Sequence, residues 1–131
     1  MLGKHHSKET RRKMRQRIAA AVIARCGGTL KCNPAASNLF KSIETEFGFD
    51  GRFGGKGGEY HVKELGYFVD YYEPTLNLVI EYDEWHHTIL KNRIKDEMRQ
   101  KEITEYLGCK FLRISEDDSR SQVTLKVRNI L

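Results

Sequence analysis

Long apolar runs are missing from this chain. No stretch approaches the roughly 20 apolar residues of a membrane span, and no secretory signal pattern opens it. Cysteine is scarce and odd in number. Cys26, Cys32 and Cys109 stand at irregular spacing, which argues against a disulfide framework and fits a reducing cytosol. Cys26 and Cys32, even with His5 and His6, match no common zinc spacing, so buried or idle thiols are the simpler account. Acids are almost absent from the first 31 positions. There Glu9 alone faces Lys4, Lys8, Arg11, Arg12, Lys13, Arg15, Arg17, Arg25 and Lys31, a balance of +8. The rest of the chain carries 14 basic and 17 acidic side chains, so a basic arm is joined to a mildly acidic body within an overall charge of +5. Such an arm points to a polyanionic partner. A solvated helix that merely aids solubility is the plainer alternative.

What is present suffices for one domain with one core: 131 residues, 39% of them hydrophobic and 31% charged, with no internal repeat. Ser7 with Thr10 starts a helix whose Arg11 to Arg17 form a basic surface and whose Ile18, Val22 and Ile23 offer an apolar stripe; Gly27-Gly28 ends it. A second helix, about Ala35 to Phe47, places Leu39, Phe40, Ile43 and Phe47 on a core face. Residues 48–58 hold six glycines and read as a long flexible loop. The period then changes. Glu59 to Leu65 and Tyr67 to Tyr72 read as strands joined at Glu64-Leu65-Gly66, with Pro74 closing the second. Leu76 to Asp83, the most apolar run, reads as the central strand. Residues 88–107 fit a charged helix with Ile89, Ile94, Met98, Ile103 and Leu107 inward and Gly108 as its stop. Lys110 to Ile114 reads as a strand parallel to the central one, and Ser119 caps a last helix bearing Val123, Val127 and Ile130. The expected class is α/β or α+β, a mixed four-stranded sheet flanked by helices in the order ααβββαβα.

Three acids sit where a core belongs. Asp70 lies inside GYFVDYY, and Glu81 and Asp83 flank Tyr82 at the carboxyl end of the central strand. Residues two apart on a strand share a face, so Glu81 and Asp83 converge. Gathering carboxylates costs desolvation and repulsion unless a cation neutralises them. Oxygen ligands with room for water favour Mg²⁺, with Mn²⁺ substituting. Any one of these acids taken alone is more simply solvated, or paired with Lys63 or Arg113. Together, followed at once by Trp85-His86-His87, they point to a metal site. Adjacent histidines on a turn point apart, so one of His86 and His87 would serve it, moving a proton. Asp96, further along, is taken alone a helix-surface acid; a role in orienting that imidazole rests on a family resemblance.

The segments VDYY, IEYDEWHH, KDEMRQ and LGCKFLRI, in this order between about Glu59 and Ile114, resemble the PD-(D/E)xK nuclease superfamily. Within it they resemble the branch of very-short-patch repair enzymes and phage EDxHD homing endonucleases. The resemblance implies a restriction-endonuclease-like core over residues 32–131. Asp70 is similar to the strand-borne metal ligand and Glu81 to the second acidic position. Asp83 stands where the superfamily usually has lysine. His87 matches the branch's histidine, Asp96 the following aspartate, and Trp85-His86 the Trp-His pair of the repair enzymes. For the first glutamate, Glu59 is the first choice and Glu44 its rival. GKHHSKETRRKM resembles a nuclease-associated modular DNA-binding motif, present in one copy with Lys8 at an acidic place; such motifs occur in arrays, so a minimal version or a piece of a longer protein is implied.

The expectation is a Mg²⁺-dependent endonuclease of double-stranded DNA, a cytoplasmic phage or mobile-element product with no membrane partner, as monomer or homodimer. Asp70, Glu81, Glu59 and Asp83 are the candidate metal ligands. Lys4, Lys8, Arg11, Arg12, Lys13, Arg15 and Arg17 of a DNA-binding arm over residues 1–31 would contact the DNA backbone, with Lys91, Arg93 and Lys95. A degenerate nuclease core that only binds DNA, or an RNA-directed nuclease, are the alternatives. No aromatic RNA-binding signature is present, although Tyr71, Tyr72 and Trp85 would stack on bases.

Overall fold

The structure is a computed structural model that describes residues 7–26, 34–54, 56–83 and 90–131; for 22–26 and 90–93 it describes the backbone alone. His86 and His87 therefore lie outside the described residues, as do Lys4, His5, His6 and Cys32. Helix α1 (Lys8–Cys26) is followed by α2 (Pro34–Phe47), whose first residue is a proline that needs no N–H partner there. Ala36, Phe40 and Ile43 bury one face of α2, with Leu39 and Phe47 packed at its margin. Strands β1 (Arg52–Phe53), β2 (Tyr60–Val62), β3 (Tyr67–Val69), β4 (Tyr71–Glu73) and β5 (Leu78–Asp83) precede α3 (Leu90–Leu107), β6 (Lys110–Ser115) and α4 (Arg120–Ile130).

The main sheet is mixed and four-stranded, in the order β1-β4-β5-β6, with helices packed against it. β4 runs antiparallel to β5, and β6 parallel to it through the α3 crossover, with Asp83 opposite Ser115. The α+β class and the helix–strand order follow the sequence pattern, with two local departures. The glycine-rich stretch 48–58 contributes β1, which takes the sheet edge beside β4. The expected strand 67–72 is broken at Asp70, so β3 pairs with β2 in a separate hairpin while β4 joins the main sheet.

Alternation along β5 divides the interior in two. Leu78 and Ile80 face α2 and α4 with Phe40, Ile43, Phe53, Tyr71, Ile114 and Val127. Val79 faces the hairpin and α3 with Val62, Leu65, Val69, Ile103 and the buried thiol of Cys109. Ser119 opens α4 through a reciprocal cap: its hydroxyl accepts from the Gln122 N–H at 3.2 Å, and the Gln122 side chain accepts from the Ser119 N–H at 2.7 Å. Gly108 ends α3 in the left-handed region at φ 62°.

Two apolar expectations fail. On α3, Ile103 is buried and Leu107 packed, but Ile94 and Met98 are about half exposed. The inward stripe instead runs through Asp96, Arg99, Gln100 and Ile103, because the sheet presents carboxylates there and these select polar partners. On α1, Ile18 is exposed and Ala19 is buried. Helix α1 lies so close to the hairpin turn that a Cβ on Gly66 would stand 2.6 Å from backbone atoms of Arg15 and Gln16, and Gly66 itself has φ 73°. Only glycine fits that position.

Candidate metal centre

Asp70 is at the bend between β3 and β4, opposite the end of β5. Its backbone N–H donates to Glu81 Oε2 at 3.2 Å, and its Oδ2 accepts from the Tyr82 N–H at 2.8 Å. The two carboxyl groups lie close enough for each to act on the other's titration. Glu81 is almost fully buried, at 4% exposure. It belongs to the α3-facing side of β5, where alternation would otherwise have put another apolar residue after Val79.

A guanidinium closes this side. Arg99 of α3 donates to Glu81 Oε1 and to the backbone oxygen of Phe68, and its guanidinium lies 5.4 Å from the Tyr67 ring centre. Burial pushes the Glu81 carboxyl up to about 8; the Arg99 charge pulls against it, and Asp70 adds to the rise. Asp70 is raised first by burial, with Glu81 and the Tyr82 N–H opposing and Glu59 adding. Glu59 is raised by burial and then by the charge of Glu81, with Arg99 opposing. Each acid thus feels at least one of the others.

Of the sequence candidates, Asp70 and Glu81 come together, with Glu59 near enough for the charge of Glu81 to act on it. Glu44 does not join them. It lies across the sheet, where its carboxylate accepts from the Gly51 N–H at 2.6 Å, from Lys56 Nζ at 2.8 Å and from the Tyr71 hydroxyl at 3.0 Å. Asp83 shares a face with Glu81 but is paired with Arg113 at 2.8 Å, the plain pairing weighed from sequence. Arg113 also reaches the Gln100 side chain at 2.7 Å and the Asp96 backbone oxygen at 3.2 Å. Asp96 is half-buried and close enough to Arg99 for its charge to act on it.

Arg99 is the site residue that sequence reasoning missed. It lies within KDEMRQ, where helix-surface cations are common, and only the position of Glu81 opposite it marks it out.

The arm's cations divide into two groups. Arg15 is committed inside the protein: it donates to the Leu65 oxygen at 3.0 Å and to Glu102 at 3.1 Å, with its guanidinium 4.3 Å from the Tyr67 ring centre. Lys13 stands 3.6 Å from Glu9, and Arg12 is half-buried. Lys8, Arg11 and Arg17 are exposed on α1, and Lys95 on α3.

The chain matches no family model, no curated protein and no solved structure.

Among the described residues no group of three or more His, Cys, Asp and Glu side chains stands arranged to hold a metal ion. Mg²⁺ does not require one. It keeps several waters and takes one or two carboxylates plus substrate phosphate. The pair Asp70 and Glu81 supplies oxygen donors of that kind, Glu81 buried and Asp70 half-buried, with the charges of Glu59 and Arg99 acting on them. The donor set fits a hard divalent cation. Among the described residues, no helix is long and apolar enough to cross a membrane.

Proposed function

We propose that this chain is a Mg²⁺-dependent endonuclease that hydrolyses phosphodiester bonds in double-stranded DNA, with a restriction-endonuclease-like core. The observation that carries the reading is the convergence of Asp70 and Glu81, joined through the Asp70 N–H and Glu81 Oε2, with the Glu81 carboxyl nearly inaccessible. Burying such a pair costs stability unless a cation belongs with it. Mn²⁺ would substitute for Mg²⁺.

Asp70 and Glu81 would hold the ion, with Glu59 as outer support. Bound there, it would polarise a phosphoryl oxygen and ease deprotonation of the attacking water. The Tyr82 N–H keeps Asp70 Oδ2 turned into the site, and the Asp70 N–H does the same for Glu81 Oε2. His87 or His86 would carry the proton, with Asp96 in support. Exposed Lys8, Arg11 and Arg17, with Lys95, would contact backbone phosphates.

A second reading has one specific observation in its favour. Arg99 already supplies a positive charge to Glu81, as a degenerate core that binds DNA without cutting it would need. One assay separates the two. In a supercoiled-plasmid assay, the wild type should nick or linearise DNA with Mg²⁺ and not with EDTA. Asp70→Asn should lose this activity while keeping salt-sensitive DNA binding. Equal nicking by variant and wild type would remove Asp70 from the mechanism, and no nicking by the wild type with either Mg²⁺ or Mn²⁺ would favour the degenerate core.

A further inference from the structure

The face of the sheet away from the acid pair carries a positive surface of its own. Helices α2 and α4 lie side by side there, and two adjoining grooves between and along them are lined by Lys41, Ser42, Arg120, Ser121, Thr124 and Arg128. Arg120, Thr124 and Arg128 follow one another at four-residue intervals, so they form a ridge about 12 Å long. Lys41, Arg120 and Arg128 are exposed, and among the described residues their side chains make no hydrogen bond or ion pair. The one acid lining these grooves, Glu46, is engaged by the Thr124 hydroxyl at 3.1 and 3.3 Å.

A cluster of cations left without acid partners stands out in a body that carries more acids than bases. Pairing was available: elsewhere in the same body Lys56, Arg99, Arg113 and Lys126 all hold carboxylates. The connectivity also sets where this surface lies. β6 runs parallel to β5, and Ser115, opposite Asp83, is followed within five residues by Arg120. The α4 ridge therefore starts at the same end of the sheet as the carboxyl end of β5, on the opposite face from α3.

We infer that the α2–α4 surface is a second binding surface for the DNA backbone, resting on the proposed action on duplex DNA. Lys41, Arg120 and Arg128 contact phosphates, and the hydroxyls of Ser42 and Ser121 donate to their oxygens. The exposed cations of α1 stand apart from this surface, on the side of the β2–β3 hairpin and α3. Phosphate contacts position without reading sequence, which suits a small chain with few elements free to read bases.

The test is the salt dependence of binding. Each phosphate contact contributes about 0.9 to the slope of log affinity against log salt. Binding of a fluorescein-labelled 30-base-pair duplex to the full chain is followed by anisotropy in EDTA at several NaCl concentrations. The variant Lys41→Gln/Arg120→Gln/Arg128→Gln should lower the slope by about 2 to 3 and weaken binding at least tenfold in 0.1 M NaCl. Its thermal melting should match the wild type, because these side chains make no hydrogen bond or ion pair among the described residues. Charge reversal at one position, Arg128→Glu, should weaken binding further than Arg128→Gln. An unchanged slope in the triple variant overturns the inference, and so does a wild type that does not bind the duplex. Equal loss of binding to a single-stranded RNA of the same length, with duplex binding intact, would assign the surface to RNA instead. Plasmid nicking by the wild type is scored separately. Duplex binding with the expected slope change but without nicking would leave this surface standing and remove the nuclease reading.

Discussion

Glu81 shows what a single buried carboxyl does to stability. Its folded-state pKa is raised by burial to about 8, from the ordinary 4.5. An acid raised on folding contributes stability that is fully present below its unfolded pKa and is lost as pH climbs through the folded value. The metal-free protein should therefore weaken between about pH 4.5 and 8 through this residue. Glu81→Gln imitates the protonated side chain at every pH. Its melting temperature should equal the wild type's near pH 4.5 and exceed it by several degrees at pH 9. The difference between the two proteins, measured in EDTA by circular dichroism, isolates this residue from all others. A gap that stays constant with pH would show that Glu81 titrates normally. The same residue marks a limit of sequence reading. Glu81 and Asp70 were legible as acids inside apolar runs, but the choice between Glu59 and Glu44 was not. Both are glutamates near apolar residues, and only chain geometry sends Glu44 across the sheet to Lys56 and Tyr71.

At the scale of elements, α1 is a docked helix over its middle and a free one on its outer face. Arg15 holds the Leu65 oxygen and Glu102, Gln16 donates to the Glu64 oxygen at 2.6 Å, and the turn beneath them approaches as only glycine permits. Gly66→Ala would place a methyl group 2.6 Å from the α1 backbone and force an alanine into the left-handed region. The expected cost is about 1–3 kcal/mol. It should be read as a lower urea midpoint and faster proteolytic cleavage within residues 8–21. Arg15→Gln should behave in the same direction. Periodicity had assigned α1 an apolar stripe through Ile18, yet the helix is seated by Arg15, Gln16 and Ala19. A sequence pattern detects oily faces, whereas here the receiving surface offers backbone oxygens, a glutamate and a tyrosine ring, so a polar face docks. The same exchange occurs on α3, whose inward stripe is polar because the carboxylates of β5 lie under it.

Among the described residues, exposed cations stand on α1 and on the α2–α4 surface, with the Asp70–Glu81 pair inside. The arm's charge can be tested without disturbing its docking. Arg11→Gln/Arg17→Gln removes two exposed, outward cations and should lower the salt slope of duplex binding by about 2 at an unchanged melting temperature. Deleting residues 1–17 would not separate these effects, since it also removes Arg15 and Gln16 from the hairpin. If the double variant binds duplex with the wild-type slope, α1 is a structural helix only.

The amino-acid order alone determined the four helices and the extended segments after the glycine-rich stretch, the caps at Ser119 and Gly108, the parallel pairing of β5 with β6, and the presence of misplaced acids in an apolar strand. These are local matters of side-chain period, turn chemistry and composition. Tertiary structure alone decided that the strand breaks at Asp70, that Arg99 faces Glu81, that Asp83 belongs to Arg113, and that Arg15 is a docking residue. Each of these depends on which groups meet across elements far apart in the chain. The energy of a buried charge is set by what stands opposite it.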